Sequence, residues 1–266
     1  MTDDEGARAM AAATEQVVAG WATDLRIDAV VAVAVLAAVH LAGHRLTVLD
    51  GRFGRRFAQL AEGCLLAYVV VDLLPTVAEA EADLTTDHPL GAVGLAEPAW
   101  LACLLGMLLL VMAEAPGRGR GHGGGRDDAP AGVDAAFVLM LVAHSAANLQ
   151  VGLLLIHHHR DGALAMVAVT SVLAIHLALS ERENALSHGT LHRRWGRPTL
   201  LVALVAGGVL GAFWQPEGAV LTLSRAVLAG LLILNVFQHH VRQPDVARSP
   251  AFLVGALGYG AALTLA

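Results

Sequence analysis

The chain alternates between long apolar stretches and short polar ones. Apolar blocks of about 17–25 residues are what a helix needs to cross a hydrocarbon core of about 30 Å at 1.5 Å per residue. Blocks of this kind predict about eight transmembrane helices, at residues 27–49, 58–76, 95–113, 133–156, 163–180, 198–214, 218–238 and 250–266. Pro198 and Pro250 stand at two of the starts, where a missing N–H does least harm. The fold class expected is an all-α membrane protein. Residues 1–26 form an N-terminal tail or interfacial helix. Residues 27–266 form the transmembrane domain, interrupted at 115–132 by a Gly- and Arg-rich stretch that reads as a flexible cytoplasmic linker.

Composition strengthens this picture. Hydrophobic residues fill 56% of the 266 positions and charged residues only 15%, a balance that no ordinary soluble domain of this size carries. The first residues include Asp3, Asp4 and Glu5 with no basic segment before an apolar run, so a signal peptide is not expected. Cys64 and Cys103 both lie within apolar runs, which argues against a disulfide framework and against a Cys-based zinc site. The net charge of −6 gives no hint of nucleic acid as a partner, since a phosphate-binding face would need clustered basic residues outside the spans.

All 17 basic residues are Arg. If the N-terminus is outside, thirteen of them face the cytoplasm and four, Arg8, Arg26, Arg160 and Arg225, face out. The positive-inside rule then places both termini extracytoplasmic in a multi-pass protein of the cell membrane. The acidic loop with Glu79, Glu81, Asp83 and Asp87 falls on the outer side.

Ionisable groups inside the bilayer are expensive, so each needs a reason. The candidates are Asp72 near the end of span two, His144 at the middle of span four, His176 in the inner half of span five, and Asn235 in span seven near His239 and His240. His144 and Asn148 are one turn apart with Ser145 beside them. His176, Ser180 and Glu183 form a stripe, and Asp72 pairs with Thr76. A polar pair on one face of each of four helices predicts a shared polar seam. Any single residue among them could instead only tie two helices together, for about 1 kcal/mol. The His157, His158, His159 run at a span end reads either as a metal tract or as a solvated helix end.

These residues carry a resemblance to the ZIP zinc/iron permeases over most of the chain after about residue 57. The segment from Val71 through Asp72, Leu73 and Leu74 to Pro75 resembles that family's HLLPE stretch in the second span. His144, Asn148 and Gly152 fall where the fourth span carries HNxPEGxxxG, and Ala174, Ile175 and His176 fall where the fifth span's metal-binding His occurs. Leu228 to Asn235 and Ala251 to Gly255 resemble the last two spans. The resemblance implies a ZIP-like bundle that moves a zinc-like divalent metal cation. His144 and His176 would be core ligands, with Asn148, Ser145 and Asp72 assisting.

The departures are as specific as the likeness. Asn148 replaces the fourth-span Glu, Ala147 the Pro before it, and Ser180 stands where a fifth-span Glu is expected. Asp72 takes the place of the second-span His and Thr76 that of the following Glu. Zinc favours imidazole, carboxylate or thiolate, and carboxylates also neutralise the dication in a medium of low dielectric. The alternative is therefore a non-transporting ZIP-like scaffold, sensor or partner subunit. A haem protein or membrane enzyme fits poorly, since His144 and His176 lie at different depths and no HExxH or nucleophile-elbow signature occurs. No enzyme activity and no organic cofactor are expected. The expected partners are the lipid bilayer and a divalent metal ion as substrate, with a homodimer among the assemblies the sequence allows.

Overall fold

A computed structural model describes residues 27–43, 51–86, 97–114, 135–157, 163–214, 218–242 and 249–265. They form an all-helical bundle with no strand among the described residues. We label the helices α1 (Ile27–Ala42), α2 (Gly51–Ala67), α3 (Leu74–Thr86), α4 (Pro98–Glu114), α5 (Ala135–Ile156), α6 (Ala163–Leu191), α7 (Arg197–Phe213), α8 (Gly218–Arg242) and α9 (Pro250–Leu265). Four helical stretches are long and apolar enough to cross a membrane: Gly54–Glu79, Phe137–Ile156, Ala165–Phe213 and Gly218–Phe237. Ile27–Ala42, Pro98–Met112 and Pro250–Thr264 are apolar but shorter. The N-terminal tail and the 115–132 linker lie outside the described residues.

Two widened π-helical turns join neighbouring helices, Tyr68–Leu73 between α2 and α3 and His192–Gly196 between α6 and α7. Each ends two residues before a proline, Pro75 and Pro198. Proline lacks the N–H that would bond four residues back, and its ring collides with that carbonyl, so the ladder upstream widens. The break between α6 and α7 is sharper still at Gly189, whose φ of 49° and ψ of −117° lie outside the helical region.

Two stretches expected as loops are helical. Helix continues from span two through Glu79, Glu81 and Asp83 to Thr86, so these residues of the expected acidic loop sit on α3. The Glu81 side chain accepts a hydrogen bond from the Ala99 amide at 2.7 Å, and the N–H groups at the start of α4, which lack a partner within their own helix, give that carboxylate a reason to be held on a helix. Likewise α6 runs past residue 180 to Gly189, because Glu181 has buried partners to reach and Asn184 turns into the interior beside it. At α9, the Ser249 hydroxyl caps the Ala251 amide at 3.3 Å ahead of Pro250.

Apolar side chains occur both inside and outside. Leu36, Val69, Val77, Val169 and Leu204 are sealed in the core, while Val202, Phe213, Val254 and Leu257 are largely exposed. An exterior this apolar suits lipid. Trp100, Trp195 and Trp214 lie exposed near helix ends, where indoles favour the membrane–water interface.

Three helix pairs pack backbone to backbone. Gly63 on α2 faces the α9 backbone at Phe252 and Ala256, Gly106 on α4 faces the α8 backbone at Val227 and Leu231, and Gly152 on α5 faces the α7 backbone at Leu204 and Gly207. Small residues allow such approach where no hydrophobic force drives helices together in lipid. The three contacts set the frame in which α5, α6 and α8 surround the polar interior.

Candidate functional site

The polar interior is concentrated toward the end of the bundle where α1 stops and α7 starts. Glu181 on α6 is 1% exposed and is the hub. Its Oε1 lies 2.8 Å from His40 Nδ1. Its Oε2 accepts from His192 Nε2 at 3.0 Å and faces Arg197 Nε at 3.4 Å. The other nitrogen of His40, Nε2, lies 2.7 Å from Asn148 Oδ1, and Asn148 Nδ2 donates to the His144 carbonyl at 2.8 Å.

These bonds fix the protons. Because Asn148 spends its N–H on a carbonyl, its Oδ1 faces His40 and needs a donor there. His40 Nδ1 meanwhile faces a carboxylate oxygen. His192 Nε2–H points at Glu181, while its Nδ1 is buried with no partner among the described residues. The network joins α1, α5, α6, the π-turn and α7, a set that satisfies charges which would be prohibitive alone in lipid.

Beside it lies a small chamber of about 40 Å³, lined by His40, His144, Asn148, His176, Ser180, Glu181 and Asn184 among apolar neighbours. That volume suits a single ion or one or two waters. His144 donates Nδ1–H to the Met140 carbonyl at 2.9 Å, which fixes the tautomer and leaves Nε2 with its lone pair, the arrangement metal-ligating imidazoles use. His176 Nε2 takes a long bond, 3.4 Å, from Asn235 Nδ2. Asn184 Nδ2, buried, has no acceptor among the described residues.

Of the five residues singled out by sequence, His144, His176 and Asn148 are brought to this chamber. Asn148 is bonded at both ends of its carboxamide. Ser145 does not line this chamber, and its buried Oγ has no partner among the described residues. Asp72 lines a second cavity of about 210 Å³ toward the opposite end, with Tyr68, Thr76 and Arg225. Val151, Leu173 and Leu228 border both spaces and separate them with an apolar wall. No three His, Cys, Asp or Glu side chains come together as a metal-binding group among the described residues. His157 is described at the end of α5, whereas His158 and His159 lie outside the described residues.

Sequence reasoning passed over His40, Glu181, His192 and Arg197. His40 carried a signal, since it is an imidazole within an otherwise apolar span. Glu181 was hidden by the choice of Glu183, which continues the His176 stripe; the buried face lies one step round, through Leu177, Glu181 and Asn184. No protein-family model, no curated protein and no solved structure matches the chain.

Proposed function

We propose that the chain is an eight-span, ZIP-like protein of the cell membrane that takes a zinc-like divalent cation between α5 and α6. The observation behind this reading is that His144 and His176 line one buried chamber, with His144 Nε2 left open by its bond to Met140. Asn148 and Ser145 would assist, and Asp72 would serve the cavity beyond the apolar wall. The eighth span comes from the break at Gly189: 49 residues of helix would extend about 74 Å if straight, more than twice the hydrocarbon thickness, so Ala165–Phe213 supplies two crossings.

Zinc affinity of the purified protein tests it. Wild type should bind zinc at micromolar concentration, and the His144→Ala, His176→Ala double variant at least tenfold more weakly, since losing two imidazoles removes the core donors. A second reading, the non-transporting scaffold, is favoured by a specific observation: the one carboxylate in the chamber wall is already engaged by His40, His192 and Arg197. Absence of zinc binding in the wild type would establish that reading instead.

Orientation is tested separately. Reporters fused after Gly123 and Arg194 should read cytoplasmic, and those after Asp87 and Arg160 external, as thirteen inward Arg against four outward require. A cytoplasmic signal at Asp87 would reverse the bundle in the membrane and remove the ZIP-like topology.

A further inference from the structure

We propose that the turn joining α6 to α7 is a docking surface for the phosphate headgroups of anionic phospholipids, held by Arg193, Arg194 and Trp195. The proposal rests on the chain spanning a membrane and not on the zinc reading. Depth gives the first reason. Residues 163–180 of α6 extend about 27 Å at 1.5 Å per residue, close to the hydrocarbon thickness of about 30 Å. Glu181 follows at once and so lies at the hydrocarbon edge. The turn is drawn to that level, because the chain breaks at Gly189 and both His192 Nε2 and Arg197 Nε come back to the Glu181 carboxylate. The headgroup layer, with its phosphates, begins at this edge.

The turn also sorts its side chains. His192 and Gly196 are buried on its inner side, and the three residues between them, Arg193, Arg194 and Trp195, are all exposed. Gly196 makes room for the buried imidazole, since an added Cβ there would collide with the His192 ring. Arg197 is spent inward on Glu181, whereas neither Arg193 nor Arg194 forms an ion pair with a described residue. Arg194 lies over the Trp195 ring, 5.5 Å from its centre. That contact does not neutralise the guanidinium, and its forked N–H groups can still grip a phosphate. Trp195 itself is 52% exposed at the depth where indoles are favoured. Two adjacent cations that are exposed rather than enclosed hold a soluble anion poorly. A leaflet of anionic lipid instead presents many phosphates at this depth, and each arginine near such a surface is attracted to it.

The test uses the full-length protein in detergent micelles with three probes: dioleoylphosphatidylglycerol, dioleoylphosphatidylcholine and inorganic phosphate, each titrated and read as a shift of the unfolding midpoint. Wild type should bind phosphatidylglycerol at least about tenfold more tightly than phosphatidylcholine, and the preference should shrink as salt rises from about 0.05 M to about 0.5 M. The Arg193→Gln, Arg194→Gln double variant should lose most of this preference. Arg193→Lys with Arg194→Lys keeps the charge and should keep a preference, which separates loss of the surface from loss of the fold. Arg55→Gln with Arg56→Gln removes the same charge from exposed positions near the start of α2 and should leave the preference within about twofold of wild type. The proposal is overturned if wild type shows no preference, if the preference survives the Gln pair in the turn, or if the Lys pair loses it too. An equal loss in the α2 pair would also overturn it, by making the effect one of net charge. Stabilisation by inorganic phosphate as strong as that by phosphatidylglycerol would overturn it in favour of a free anion.

Discussion

Glu181→Ala is expected to destabilise the folded protein by about 3–5 kcal/mol, the range for removing one partner from a buried ionic network. The variant leaves His40 and His192, 1% and 0% exposed, facing the empty position, and strands the Arg197 guanidinium beside them. The two sealed imidazoles then lack their acceptor where water cannot substitute. Glu181→Gln should be milder, since an amide oxygen still accepts one bond while its NH2 faces donors on the other side. The measurement is the unfolding midpoint in detergent across wild type, Glu181→Ala, His40→Ala and the double variant. Because His40 and Glu181 share a bond of 2.8 Å, the double variant should lose less than the two single variants summed, by about 0.5–3 kcal/mol. Additive losses would mean that the pair is not coupled and that the network is not the pin between α1, α6 and α7.

Helical character was legible in the sequence because the length of an apolar block is set by the bilayer. The starts at Pro250 and near Pro198 could be read for the same kind of reason, since proline is tolerated only in a helix's first turn or where the ladder is already broken. Helix ends were less legible. A polar stretch after an apolar block looks like a loop, yet 77–86 and 181–188 remain helical because Glu81, Glu181 and Asn184 find buried surroundings or partners on other helices, which a one-dimensional pattern does not contain. The same limit governed the site. His144, Asn148 and His176 could be found from their cost in lipid, and they do line one chamber. Their hydrogen bonds could not be foreseen, and these bonds decide the chemistry: Asn148 is tied to His40, a residue 108 positions away. Asp72 was grouped with the histidines because it too is an ionisable residue in a span. The wall of Val151, Leu173 and Leu228 that separates them exists only in three dimensions.

The close helix pairs lead to the other large effect. An added Cβ at Gly230 would lie 1.9 Å from the Cys103 carbonyl oxygen, and one at Gly106 would lie 2.1 Å from that of Val227. The same reciprocal geometry recurs at Gly63 with Gly255 and at Gly152 with Gly207, where the distances run from 2.0 to 2.2 Å. The obstructing atoms are backbone, so no rotamer change relieves the collision and the two helices must separate by more than an ångström. Gly230→Ala is therefore expected to cost about 1–3 kcal/mol, the usual penalty for overpacking, and Gly230→Val more, because its branched side chain forces the pair further apart. The control is Gly258, on the same kind of apolar helix, whose added Cβ would meet nothing within 4 Å. Gly258→Ala should leave stability unchanged or raise it by up to about 1 kcal/mol through helix propensity alone. Unfolding midpoints and the yield of membrane-inserted protein for Gly230→Ala, Gly230→Val and Gly258→Ala make the comparison. Equal behaviour of Gly230→Ala and Gly258→Ala would show that α4 and α8 do not touch at this point and that the frame around the polar interior is looser than the three glycine contacts require.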